Sequence, residues 1–370
     1  MKTILPVENQ DPLGAIQNLL KKLLENDLVD ILLVPMRTPS GTVAPTLVSD
    51  PQLLQFADPL APVMPVNSAT LVGKLSVRQP RARVGAVLRA CEARALVELT
   101  KMQQASLDDL LLINIDCAGT YNVPTFIAKE TALKEKNSVL LLELYQLAND
   151  QPENPPPELR SACQICEQPI YEGAAIQIEL FGNQAAGIPI TITDEIGEKL
   201  GLVDSPNSER STTLEKLVAI RTERRDAEFE KIRTHLQSAG GITDLFAACI
   251  RCYNCMTVCP ICYCKTCVFK SELFDHDPIQ YLGWTKQKGA FRMPSDTMLF
   301  HLTRLNHMGL SCVGCGMCTE ACPAELPVGI VFRAVGQSLQ QTFEYQPGRD
   351  VSEPLPLITF KADEWTEVGE

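Results

Sequence analysis

Residues 84–117 read VGAVLRACEARALVELTKMQQASLDDLLLINIDC. An apolar run at 84–88 precedes a helical stretch from Glu92 to Gln104, and a second apolar run follows at 110–115. Apolar runs alternating with a helix describe a strand–helix–strand unit with parallel strands in one sheet. Each strand is followed by a cysteine, Cys91 and Cys117. Open parallel sheets bind ligands at the carboxyl ends of their strands. Two packed thiols behaving as small hydrophobes and one shared ligand site are equal alternatives for this pair.

Upstream, Asp11-Pro12 has the signature of an N-cap and first helical residue, with Leu13, Ile16, Leu19, Leu20, Leu23 and Leu24 forming an apolar stripe behind it. LVDILLV (28–34) reads as a buried strand, and the proline-punctuated stretch 35–65 shows little periodicity. Downstream, QPENPPP (151–157) reads as a linker. Cys163-x2-Cys166 follows it, then short strands at 174–181 and 188–193. A long charged helix is expected over 213–237, opened by a Thr212/Glu215 capping box and stopped by Gly240-Gly241.

Beyond that glycine pair the cysteines crowd together. The chain holds 15, and eleven lie between Cys249 and Cys322. Cys249-x2-Cys252-x2-Cys255-x3-Cys259-Pro260 matches the bacterial ferredoxin run at every spacing, and Cys312-x2-Cys315-x2-Cys318-x3-Cys322-Pro323 matches it again. In two-cluster ferredoxins the fourth cysteine of each run ligates the other cluster. The expected ligand sets are therefore Cys249, Cys252, Cys255 and Cys322 for one 4Fe–4S cluster, and Cys312, Cys315, Cys318 and Cys259 for the second. A zinc site built from Cys252, Cys255, Cys264 and Cys267 would leave Cys249, Cys259 and the whole second run unused. Cys262, Cys264 and Cys267 read as packing residues, with a further metal site (Asp275 or His276 completing it) as the alternative. The apolar helix 296–310 reads as core, and no histidine is assigned a role.

The chain has 370 residues, 45% of them hydrophobic and 21% charged. That balance describes a globular protein of two or three domains rather than a disordered one. Thirty-three Lys and Arg against 45 Asp and Glu give a net charge of −12, which argues against nucleic-acid binding. No apolar run reaches the ~18–20 residues of a membrane span, and the first residues lack a signal-peptide core, so a cytoplasmic protein is expected. Against this acidic background Arg78, Arg81, Arg83, Arg89 and Arg94 cluster around Cys91. Guanidinium groups suit anions, and a solvated helix end is the equal alternative. Neither a G-x-G-x-x-G nor a P-loop motif is present.

The sequence resembles the beta-subunit family of coenzyme F-420 hydrogenase and F-420-dependent formate dehydrogenase. The resemblance runs through Leu13-Gly14, VGAVLRACEARALVEL (84–99), LINIDCAGTY (112–121), ACQICE (162–167) and both ferredoxin runs. The family's strand-end Pro-Cys is Ala90-Cys91 here, which implies a changed loop and a retained ligand. The resemblance implies an α/β flavin-binding core that holds FAD and a third 4Fe–4S cluster, ligated by Cys91, Cys117, Cys163 and Cys166. It further implies hydride exchange with coenzyme F-420, the arginines meeting the phosphates of FAD or the acidic tail of the carrier. Catalytic side chains are not implied.

The expected fold is thus an N-terminal α/β core with a C-terminal two-cluster ferredoxin-like domain. Expected boundaries are 1–150 for the core, 151–241 for linker, Cys pair, short strands and long helix, 242–345 for the ferredoxin domain and 346–370 for an acidic tail. The expected function is electron transfer between hydride carrier, FAD, clusters and a partner subunit of formate dehydrogenase, hydrogenase or heterodisulfide-reductase type. The alternatives are a flavin-free polyferredoxin-like relay, an NAD(P)H-using relative and a zinc-stabilised interaction protein.

Overall fold

The computed structural model describes residues 1–77, 82–133, 139–182, 187–205 and 210–359. Seven strands form one sheet in the order β1-β7-β6-β5-β4-β2-β3. They are β1 (Lys2–Leu5), β2 (Ile31–Arg37), β3 (Val43–Val48), β4 (Val84–Arg89), β5 (Leu110–Ile115), β6 (Ile176–Ile178) and β7 (Ile188–Ile192). The centre, β2-β4-β5-β6, is parallel. Antiparallel β3 closes one edge, and antiparallel β7 and β1 close the other. The sheet is mixed, where the strand–helix alternation alone implied a parallel one.

Two of the added strands were hidden for different reasons. VAPTLV of β3 carries Pro45, which faces Pro35 of β2 across the ladder. A proline cannot donate to a ladder, so such a strand survives at an edge and reads as loop. Four-residue β1 is too short to show a period. The strands after residue 150, β6 and β7, belong to this same sheet, so the proline run at 151–157 lies within the unit rather than between units.

Alternate residues of the strands feed two cores. Leu32 and Val34 of β2, Val87 of β4, and Ile113 and Ile115 of β5 pack on one face with helix α1 (Pro12–Glu25). Asp11 caps α1 as its signature implies, its carboxylate accepting from the Gly14 amide at 2.9 Å. On the other face Leu33, Ala86, Leu88 and Leu112 pack with α2 (Ala69–Val77) and α3 (Ala90–Lys101). This second core runs on without a break into Phe246, Cys249, Cys255, Phe300 and Phe332. The cysteine-rich region is therefore docked on α3, although the glycine pair suggested a boundary at 241. The long helix Arg210–Leu236 begins at or before Arg210, so Thr212 sits inside it and caps nothing. Among the described residues, no helix is long and apolar enough to cross a membrane.

Candidate metal centres

The two strand ends are fixed by buried carboxylates. Glu92 accepts from the backbone amides of Arg89 and Ser68, at 3.0 and 2.8 Å, and so pins the turn from β4 into α3 that carries Cys91. Asp116 accepts from Gln177 Nε2 at 2.8 Å and from the Leu180 amide at 3.0 Å, holding the end of β5 just before Cys117. The segment after the proline run turns back onto this end: the Cys117 amide donates to the Pro169 carbonyl at 2.9 Å. Cys163 and Cys166 are thereby brought to Cys91 and Cys117, and all four thiols line one cavity.

That cavity is rich in cations. Thr120 Oγ1 lies 3.4 Å from Cys163 Sγ. Arg89, Arg160 and Arg221 also line the cavity. Burial pushes Cys91 well up and Cys117 up to about 12, with Arg89 opposing the shift at Cys117. Burial also raises Cys166. Thiols so placed stay protonated until a metal displaces the proton, and nearby cations offset the charge of the resulting thiolates.

The ferredoxin runs form two more cavities, each with ligands drawn from both runs. Cys249, Cys252, Cys255 and Cys322 line one. Cys259, Cys312, Cys315 and Cys318 line the other. Burial raises Cys249, and raises Cys255 to about 11 against the pull of Arg304. It raises Cys312 and Cys318 as well, and Cys315 to about 12. Among the described residues no three Cys, His, Asp or Glu side chains converge tightly enough for a single metal ion. The thiols of each set line one cavity.

The strand-end and second-run cavities share a wall, and Arg304 links the second-run cavity to the first. Cys315 lines both the strand-end cavity and the second-run cavity. Arg160 reinforces that wall, donating to Thr120 Oγ1 at 3.1 Å and to the Cys315 carbonyl at 2.9 Å. Arg304 lines the second-run cavity while donating at 3.1 Å to both Sγ and the carbonyl of Cys255 in the first. His301 Nε2 stands 3.3 Å from Cys249 Sγ. Its ring is stacked on Phe246, 3.8 Å between centroids, and burial with Arg304 holds its pKa down to about 3.

The described arginines of the cluster, Arg83, Arg89 and Arg94, line no common pocket. Arg83 is exposed and paired with Asp30, while Arg89 donates to the Ala61 carbonyl and Arg94 to the Val313 carbonyl. Arg78 and Arg81 lie outside the described residues. The reason is the strand-to-helix geometry, which aims Arg89 and Arg94 inward and leaves Arg83 at the sheet's other end. Arg94 alone of the described three lines a pocket of about 330 Å³, with Arg225, Arg333, Arg349 and Phe229. That pocket borders Cys312 and also Gln168, which lines the strand-end cavity. Beside it Glu167 is pushed up by burial but pulled further down, to about 2, by Arg333 and Arg225. Among the described residues Cys262, Cys264 and Cys267 form no single-ion site: Cys262 borders a surface pocket beside Cys259, Cys264 is exposed, and Cys267 Sγ lies 3.8 Å from Met256 Sδ.

The sequence reading missed Arg160, Arg221, His301 and Arg304. A signal existed in the helices: Arg221 falls four residues after Leu217 on the apolar side of the long helix, and His301 and Arg304 share the buried side of Thr297–Met308 with Phe300. Polar groups on an apolar stripe demand a buried partner.

Comparison with known proteins follows the same outline. The chain is 26% identical over 377 residues, 94% of each chain, to the F420-dependent formate dehydrogenase subunit beta of Methanocaldococcus jannaschii. The chain resembles F420-dependent formate dehydrogenase beta subunits over nearly its whole length. It is also 26% identical over 393 residues to F420-dependent formate dehydrogenase 1 subunit beta of Methanococcus maripaludis, covering 93% of this chain and 92% of that one. A chain of the xenon-derivatised F420-reducing NiFe hydrogenase complex of Methanosarcina barkeri matches 63% of this chain and 92% of its own, with TM-score 0.45 and 11% identity. No family model matches.

Proposed function

We propose that this chain is the electron-transferring beta-type subunit of a cytoplasmic, coenzyme F420-dependent oxidoreductase. It holds three 4Fe–4S clusters through the three four-cysteine sets. FAD is bound beside the strand-end set. The partner is a formate dehydrogenase, hydrogenase or heterodisulfide-reductase-type subunit. The observation that carries the reading is the serial arrangement of the cavities, with Cys315 common to two of them and Arg304 bridging to the last. Iron–sulfur clusters supply one-electron transfer, and a flavin converts between hydride and single electrons.

The residues present fit these groups. Buried thiols with few polar partners, close to Arg89, Arg160, Arg221 and Arg304, are suited to hold anionic clusters. The pocket lined by Arg94, Arg225, Arg333 and Arg349 has the size and cations for part of a flavin dinucleotide or for an acidic hydride carrier. Names of the relatives support F420 as the carrier, and no dinucleotide motif in this chain favours NAD(P)H.

The test is stopped-flow mixing of anaerobically purified protein with reduced F420, NADH and NADPH in turn, alongside iron and flavin analysis. Bleaching of bound flavin by reduced F420, with about 12 irons per chain, is expected. Iron near 12 without flavin would replace this reading with a flavin-free relay. Zinc in place of iron would end it.

A further inference from the structure

The helix Thr297–Met308 does more than fill the core. Its buried face presents His301 and Arg304, one turn apart, to two thiols of the same set. His301 Nε2 is 3.3 Å from Cys249 Sγ, and Arg304 Nη1 is 3.1 Å from Cys255 Sγ. Both side chains are almost fully buried, at 1% and 3% exposure. The Phe246 ring fixes the imidazole plane, and the second Arg304 nitrogen is anchored on the Cys255 carbonyl. Neither group can turn to water. No side-chain donor to a sulfur of Cys312, Cys315 or Cys318 is present among the described residues. The donors there are the backbone amides of Gly314 and Met317.

Hydrogen bonds to cluster sulfurs and nearby charge set a cluster's potential. We infer that His301 and Arg304 are positioning residues that raise the reduction potential of the cluster held by Cys249, Cys252, Cys255 and Cys322, making it the electron sink of the chain. This rests on the iron–sulfur reading above. One electron would enter that cluster from the second-run cluster and leave to the partner protein, with no bond made or broken. The added negative charge would fall on sulfurs beside a permanent cation and a fixed imidazole, whose Nε2–H tautomer would donate to it, so it would be stabilised there. Exposure of Cys252, the outermost of its ligands, gives the electron its exit.

The test is a redox titration of the full chain, read by electron paramagnetic resonance. The signal altered in Cys252→Ser identifies the first-run cluster. His301→Phe keeps the stack on Phe246 and removes the donor, and His301→Gln keeps a donor. Arg304→Met removes the second donor, and Arg304→Lys keeps its charge. At fixed potential the reduced-to-oxidised ratio of the first-run cluster should fall at least tenfold in His301→Phe and in Arg304→Met, ~59 mV for one electron. His301→Gln and Arg304→Lys should recover most of it, and His301→Phe should leave the second-run signal unmoved. Full iron with an unshifted potential in His301→Phe would overturn the inference while leaving the cluster reading intact. Loss of first-run iron in both His301→Phe and Arg304→Met would make the pair structural and overturn it likewise. Absence of any first-run signal in the unaltered protein would overturn the cluster reading itself.

Discussion

The two cysteine runs have one spacing and two environments. In both, the residues two and four places after the first cysteine take positive φ: Arg251 at 54° and Tyr253 at 62° in the first run, Gly314 at 73° and Gly316 at 71° in the second. In both, the amide two places on donates to the first cysteine's sulfur. The backbone wrap is therefore the same, and the side chains differ because the neighbours differ. A Cβ on Gly316 would stand 2.3 Å from Ala162 Cβ, and one on Gly314 would stand 2.6 Å from Arg333 Nε. The second run is pressed against the strand-end cavity and has no room for side chains. The first run faces outward, exposes Cys252, and spends the same two positions on Arg251, which pairs with Asp296, and Tyr253, which packs on Phe300. A shared motif thus gives an inner and an outer site, and position in the fold decides which is which.

The comparison breaks first if the ligands do not cross. Cys259→Ser should remove the cluster of the second run and Cys322→Ser that of the first, each lowering iron by about four atoms per chain. Electron paramagnetic resonance that shows each substitution disturbing its own run would refute the crossing.

The next effect concerns the wall between inner run and core. Arg160→Met leaves the Thr120 hydroxyl, the Cys315 carbonyl and Glu320 without their cation. Allowing for the partial exposure of Glu320, a loss of about 2–3 kcal/mol is expected in denaturant unfolding. An unchanged midpoint would mean the inner run is not held against the core through Arg160.

Smaller, and a direct test of the paired loops, is Gly316→Ala. The left-handed backbone and the clash with Ala162 together should cost about 1–3 kcal/mol. Tyr253→Phe at the equivalent outer position keeps the packing on Phe300, meets no such wall and should cost less. Equal losses would erase the distinction between the runs.

The smallest effect is expected at Arg83→Ala. Its partner Asp30 is exposed, and Arg83 lines none of the three thiol cavities. Iron content, flavin content and melting temperature should all be unaltered. A loss of flavin there would restore the arginine cluster as a cofactor site.

Much of this was legible in the chain itself. Local rules fixed the strand at 110–115, the Asp11 cap of α1 and the helix within 296–310, since apolar period and capping chemistry act over a few residues. Cysteine spacing likewise suggested the crossed grouping, because a run of three closely spaced thiols wraps one face of a cluster, and thiols of both runs line each cavity. Other features were decided by tertiary structure alone. Pro45 hid β3 until Pro35 was seen opposite it on the sheet edge. The proline run at 151–157 looked like a boundary, yet the chain beyond it returns to the sheet through β6 and β7 and delivers Cys163 and Cys166 to the strand ends. Nothing local distinguishes Arg89, aimed into a thiol cavity, from Arg83 at the surface. Sequence neighbours share a backbone, but burial and charge depend on what packs against them from far along the chain. That is why the motif could propose which cysteines group together, and only the packed molecule decided which run is inner, which is outer, and which side chains reach their sulfurs.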